Sequence, residues 1–410
     1  MEMNPKRAGF DVARLERIGD HLNRNYIEPR KIAGAQVTVS RRGYTAYFKS
    51  FGQADLERNK PTADDTIYRI YSMSKPITSV ALMQLYERGY FQLNDPVSRV
   101  FPKWKDHKVW QRGADGKDEY VDPITPMTFR HVLSHTGGLT YGSQLEALGA
   151  PAMRDPVNEA YRTHNVGRNT TLTEMIDNMA KVPLRYQPGE RWLYSLSTDV
   201  CGALVEAISG KRFDKYLQDE IFEPLGMKDT SFWVTPEKQP RFAANYRRGA
   251  DKKLSLMDDP GSSTYLKEPT FFSGGGGLTS TSADYLRFTE MLRRGGELDG
   301  VRVLGPRTIE MMHMNHLKDG KDLTQMAIGG FSETANEGVG FGLGFASTMN
   351  QVTTGTLGAG DYYWGGAAST IFWVDPKEDM VVIFMTQLMP SATFNFRGQL
   401  KSVIYSSLVD

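Results

Sequence analysis

The chain reads as an α+β fold: one antiparallel sheet assembled from both ends of the sequence, flanked by helices, with a mainly helical domain inserted between its halves. Three observations point to it. Apolar or alternating runs bounded by turn residues occur at 34–51 and again from about 341 to 387. Between them the apolar spacing is that of short helices. The most apolar helical stretch, Ile77 to Arg88, falls at the junction of the two patterns, where pockets form.

Taken in order, residues 10–26 pattern as an amphipathic helix with Phe10, Leu15, Ile18 and Leu22 on one face. Gly34–Ser40 and Tyr44–Phe51 are strands joined at Arg41-Arg42-Gly43 as a hairpin. The 77–88 helix is stopped by Gly89. Asp95-Pro96 and Phe101-Pro102 then break the pattern, and 105–126 reads as a polar loop. Helices are expected near 128–134, 172–180, 199–209 and 213–223, with Tyr246–Met257 as a hairpin closing this helical part. Two more helices are expected at 282–294, behind a glycine run, and at 306–314. Phe341–Met349, Tyr362–Val374 and Met380–Gln387 read as strands, Asp375-Pro376-Lys377 turns between the last two, and Asn395–Leu408 ends as a helix. The expected division is a sheet domain from 1–86 and 260–410 around a helical domain at 87–259.

Composition narrows the class. The 410 residues suffice for two domains or one large domain with an insertion, and the composition is that of a soluble globular protein. A net charge of +1 without long runs of one sign gives no footprint for nucleic acid or an anionic membrane surface. No apolar stretch approaches a membrane span. The single cysteine, Cys201, rules out an intrachain disulfide and reads as a small core residue. Met1-Glu2-Met3-Asn4-Pro5-Lys6-Arg7 lacks the apolar core of a secretory signal, so a cytoplasmic protein is expected.

The chemistry centres on Tyr71-Ser72-Met73-Ser74-Lys75-Pro76. Proline is tolerated only in a helix's first turn, so the helix starts near Met73 or Ser74, with Ser72 at its mouth. Residues three apart share a face, which lets the Lys75 amine reach the Ser72 hydroxyl. A buried helix start offers N–H groups and a positive dipole end to a developing oxyanion. Desolvation and that dipole favour an uncharged amine, and a neutral lysine beside a serine is a base beside a nucleophile. Ser-x-x-Lys also arises by chance, so the run needs partners. Tyr194, just before a helix that starts near Ser197, is one candidate; taken alone it reads as an aromatic packed on Trp192 and Leu193. Trp364-Gly365-Gly366-Ala367 is another, where paired glycines inside a strand mark a bulge or a close backbone approach.

Together the three segments resemble family VIII carboxylesterases, serine hydrolases related to class C β-lactamases and penicillin-binding proteins. The resemblance extends to Leu133-Ser134-His135-Thr136-Gly137-Gly138-Leu139, Pro188-Gly189-Glu190, Pro224-Leu225-Gly226-Met227 and Ser273-Gly274-Gly275-Gly276-Gly277-Leu278. It implies a β-lactamase-like fold with Ser72 as the acylated nucleophile, Lys75 as its hydrogen-bonded base and Tyr194 sharing proton transfer. It further implies an oxyanion hole from the backbone N–H groups of Ser72 and Ala367, with Trp364, Gly365 and Gly366 contacting substrate and no cofactor. Which of Lys75 and Tyr194 takes the serine proton stays open, because their protons are coupled.

Departures from the lactamase pattern bear on substrate. Trp364 stands where lactamases put the lysine that pairs with a substrate carboxylate, and Leu196 where they usually carry asparagine. An apolar wall with one N–H donor favours neutral acyl substrates. The expectation is a serine esterase acting on a small-molecule ester of short acyl chain, with weak or no β-lactam turnover. An acyltransferase is the alternative, ahead of a β-lactamase, a D-amino-acid peptidase or a non-catalytic penicillin-binding-like protein. Tyr141, Phe271, Phe272 and Phe341 are candidate pocket aromatics. No Gly-x-Ser-x-Gly elbow occurs. The spacings His131/His135 and His313/His316 lack the His-Glu-x-x-His pattern of a metal site, and His135 reads as a loop-fixing hydrogen bonder. Gly274–Gly277 lacks the Lys-Ser/Thr that a phosphate cradle requires.

Overall fold

A computed structural model describes residues 1–142, 155–167, 170–329 and 335–410. Its centre is an eight-stranded sheet whose neighbouring strands are all antiparallel. The N-terminal part supplies β1 (Gly34–Arg41), β2 (Tyr44–Asp55) and β3 (Lys60–Pro61). The C-terminal part supplies β4 (Val339–Phe341), β5 (Ala346–Thr348), β6 (Tyr362–Gly365), β7 (Ile371–Asp375) and β8 (Met380–Thr386). The order across the sheet is β4-β5-β6-β7-β8-β1-β2-β3, and the two halves meet where Val37 pairs with Phe384. The hairpin at Arg41-Arg42-Gly43 turns as expected, with Arg42 and Gly43 at positive φ.

Both faces of the sheet are covered. Helix α1 (Arg17–Leu22) packs against α5 (Phe396–Tyr405) on the Tyr47 face, where Phe384 meets Phe396 at a ring separation of 4.8 Å. Helix α4 (Ser282–Arg293) covers the opposite face, Tyr285 lying 5.2 Å from the Phe372 ring. Helix α2 (Ser74–Glu87) is buried from Ser74 through Leu85 and packs on α3 (Ser197–Ser209), whose Gly210 closes it in the left-handed region. An apolar side chain removed from water contributes about 1.5–3 kcal/mol, so both helices are held by burial rather than by capping.

The structure corrects several of the expected elements; the 10–26 helix, for one, is broken into Val12–Leu15, Arg17–Leu22 and a π turn at Asn23–Ile27. The 105–126 loop contains a hairpin, Val109–Arg112 with Asp118–Val121, turned at Asp115-Gly116. Phe341–Met349 is two strands, because Gly342 and Gly344 bring the chain against Met312 O and Ser79, where a Cβ would stand 2.1 and 2.3 Å away. Tyr362–Val374 likewise divides into β6 and β7, so Gly365 and Gly366 end a strand rather than bulge one. The 246–257 hairpin is Asn245–Arg248 with Leu254–Asp258; it pairs in parallel with Leu388–Met389, just past β8, and so docks beside the sheet.

Candidate active site

Ser72 sits in a single 3₁₀ turn, Tyr71–Met73, that runs into α2, and is half-buried. Tyr71 holds φ = +41°, a left-handed conformation that costs a bulky residue about 1–3 kcal/mol and persists only where surroundings impose it. The surroundings impose it here: Asn245 donates to the Tyr71 hydroxyl at 3.1 Å, and the Tyr285 hydroxyl donates to Met73 O at 2.9 Å. The Lys75 side chain is 1% exposed. Its Nζ reaches Ser72 Oγ at 3.1 Å and Gly275 O at 2.6 Å, and stands 4.4 Å over the Tyr194 ring. The helix start, Pro76 in its first turn and the i,i+3 contact are as the sequence implies.

Tyr194 arrives from the segment ahead of α3. Its hydroxyl donates to Ser72 Oγ at 2.7 Å. The segment is fixed by His135: Leu193 N–H donates to His135 O at 3.0 Å, and the imidazole sits 3.2 Å from Ser195 Oγ and 3.4 Å from Thr198 Oγ1. Burial, and secondarily Lys75, hold that imidazole well below its usual range, so it is neutral. His135 is the hydrogen-bonding post expected of it.

The third segment closes the site from the sheet. Gly366 N–H donates to Thr370 O at 2.7 Å, and a Cβ on Gly366 would stand 2.4 Å from Ile70 O. Only glycine lets the turn carrying Ala367 pack this closely beside Ser72. Trp364 departs from its expected place. It is fully buried and does not line the cleft; its indole N–H instead donates to the Tyr194 hydroxyl at 3.4 Å. Strand alternation turns it behind Tyr194, while Gly365, Gly366 and Ala367 face the opening.

The cleft above Ser72 has a volume of about 1060 Å³. Tyr141 lines it, as expected, and Leu196 forms part of the wall. Phe271, Phe272 and Phe341 do not: Phe341 packs 5.3 Å from Trp364 behind the site, and Phe272 packs 5.3 Å from Phe232. Tyr265, Tyr363, Ile371, Met389 and Phe394 supply the apolar walls in their place.

The sequence reading anticipated none of these five, nor the polar lining residue Asp199. Asp199, in the first turn of α3, is 1% exposed; its Oδ1 accepts from Ser273 Oγ at 2.6 Å and from Gly275 N–H at 3.1 Å. Burial pushes its carboxyl above the usual range, against the pull of Ser273, Lys75 and Gly275. An aspartate at a helix start reads as an ordinary cap; the available signal was its position five residues past Tyr194, directly ahead of the apolar run 200–205. The histidine pairs have other work. His131 accepts from Thr128 N–H in a capping box, and His313 stacks on Tyr362 at 4.5 Å. Among the described residues no group of three or more His, Cys, Asp or Glu could hold a metal ion, and no helix is long and apolar enough to cross a membrane.

A family profile described as beta-lactamase matches residues 20–402. The chain belongs to that family. Within the beta-lactamase family it is similar to esterase EstB of Burkholderia gladioli, 30% identical over 94% of this chain and 93% of the esterase. It is also similar to protein Rv1367c of Mycobacterium tuberculosis, 31% identical over 88% of this chain and 86% of that protein. Among solved structures it resembles EstCE1, a hydrolase with promiscuous acyltransferase activity, with TM-score 0.77 and 26% identity over 96% of this chain and 98% of that one.

Proposed function

We propose that this chain is a serine carboxylesterase of the family VIII type, hydrolysing short-chain carboxylic esters through an acyl-enzyme on Ser72. One observation carries the reading: Ser72 Oγ lies within hydrogen-bond reach of both Lys75 Nζ, at 3.1 Å, and Tyr194 OH, at 2.7 Å. The hydroxyl oxygen attacks the ester carbonyl carbon while its proton passes to the Lys75–Tyr194 pair. Negative charge gathers on the carbonyl oxygen, met by the N–H groups of Ser72 and Ala367 and by the positive end of α2. Collapse breaks the C–O bond to the alcohol, which leaves with the proton held by the pair. Water then attacks the acyl-enzyme by the reverse proton path and releases the acid.

The esterase relatives support this assignment, as does the wall beside Tyr194. Leu196 lines the cleft and Trp364 is sequestered, so neither offers a cation to a β-lactam carboxylate. The test is labelling with a fluorophosphonate, followed by kcat/KM for p-nitrophenyl butyrate against a cephalosporin. Labelling abolished in Ser72→Ala, with the ester preferred, is the expected result. An unlabelled parent chain, or faster cephalosporin turnover, overturns the proposal.

A second reading, acyl transfer, is favoured by the cleft itself. Its 1060 Å³ leaves room for an acceptor alcohol beside a short acyl group on Ser72. Product ratios with an added alcohol decide: transfer exceeding hydrolysis at modest acceptor concentration makes this the main activity.

A further inference from the structure

A lysine used as a base must be held in place, because its four-carbon stem has many rotamers and its amine is a compact donor on a flexible arm. Ser72 alone cannot fix it, since that hydroxyl is the group that reacts. The second anchor of Lys75 is the carbonyl of Gly275, at 2.6 Å. Gly275 belongs to the glycine run 274–277, whose residues have no side chains of their own to fix the loop. Something else must hold that carbonyl where it is.

We propose that Asp199 is a positioning residue for Lys75, acting through the Ser273–Gly275 loop. Its Oδ1 takes the Ser273 hydroxyl at 2.6 Å and the Gly275 N–H at 3.1 Å, so it grips the loop at the residue whose own carbonyl grips the amine. The fit is close: a Cβ on Gly275 would stand 2.6 Å from Asp199 Oδ2. Thr78 Oγ1 supports the same loop from α2, donating to Gly274 O at 2.8 Å. A carboxylate serves here because charge-assisted bonds are the stiffer ones. A fold that needed only a loop tether would be served by a neutral acceptor without the cost of burying a charge. Tyr194 lies on the approach to α3 and Asp199 in its first turn. The same short stretch therefore orients both groups that flank the Ser72 proton, one directly and one through the loop.

This inference rests on the Ser72–Lys75 reading, and the experiment separates the two. The rate of fluorophosphonate labelling is measured in the parent chain, Asp199→Asn, Ser273→Ala, Lys75→Ala and the Lys75→Ala/Asp199→Asn double variant, each scaled to its folded fraction. Misplacing a reacting group costs roughly 10- to 100-fold. Asp199→Asn is expected to slow labelling by that amount in the parent and by less than about twofold in the Lys75→Ala background. Ser273→Ala leaves the carboxylate in place and removes one bond, so it is expected to give a smaller loss of the same kind. Equal losses in both backgrounds, or parent-like rates for both Asp199→Asn and Ser273→Ala, overturn the role of Asp199. A Lys75→Ala chain that labels at the parent rate overturns both readings.

Discussion

Two buried lysines in this chain are used in opposite ways. Lys75 is 1% exposed and Lys401 is 2% exposed. Lys401 Nζ lies 2.5 Å from the carboxylate of Asp361, itself fully buried. Burial draws the Lys401 amine below its ordinary range while Asp361 pulls it back up, and burial raises Asp361 in turn. Lys75 meets a hydroxyl and a carbonyl, with aromatic faces around it. Lys75 is thus held by a hydroxyl and a carbonyl, and Lys401 by a carboxylate. The contrast is between a lysine set against the proposed nucleophile and one locked in an ion pair.

The sharpest way to break the comparison is to replace each lysine by methionine. Lys75→Met is expected to lower kcat/KM for p-nitrophenyl butyrate by roughly a thousandfold or more, since triad-type groups act as a unit. Its melting temperature should stay near the parent's. Lys401→Met strands Asp361 and is expected to cost about 3–5 kcal/mol of stability in denaturant titration. Adding Asp361→Leu should return most of that loss. If Lys75→Met unfolded as readily as Lys401→Met, the two sites would be alike and the distinction gone.

Tyr194→Phe removes the partner on the other side of Ser72 and should lower kcat by about 10²–10⁴, the usual span for a positioned acid–base group. Gly366→Ala probes the oxyanion side. Its Cβ would press on Ile70 O, moving the Ala367 turn, and a loss near 10²-fold in kcat is expected, with KM nearly unchanged. A parent-like Gly366→Ala enzyme would show that the turn plays no part in charge stabilisation.

The smallest expected effect concerns folding stability and pH. Burial, then Arg130, holds His131 down to about 4, against an ordinary value near 6.5. The folded state therefore binds fewer protons than the unfolded chain between those values, and stability falls as pH drops from 6.5 toward 4. The loss is of the order of 3 kcal/mol, and His131→Gln, which keeps an acceptor for Thr128 N–H, should flatten that part of a denaturant-midpoint profile. An unchanged slope would assign the pH dependence to other groups.

Local chemistry was the most legible part of the sequence. Ser72, Lys75 and Pro76 speak through one helical turn, so their contact follows from spacing alone. Tyr194 meets Ser72 across 122 residues of chain, and no periodicity reports that; only the resemblance pointed to it. The sense of Trp364 was lost because alternation says that faces differ without saying which one opens on a cleft. Asp199 was hidden for the opposite reason, its residue type being ordinary at a helix start and unusual only once burial is known. The 109–121 hairpin carried its Asp-Gly turn in plain view, but charged strand residues masked the alternation.

The central pairing of β1 with β8 joins residues 35–41 to residues 380–386. During synthesis β1 pairs early with β2 through their hairpin, but its other edge must wait for nearly the whole chain, and such distant pairings make folding slow. The helix bearing Lys75 is finished early, yet the sheet closes last. A chain cut short of β8 is therefore left with one edge of its central strand open and without the strands that carry the Ala367 turn to Ser72.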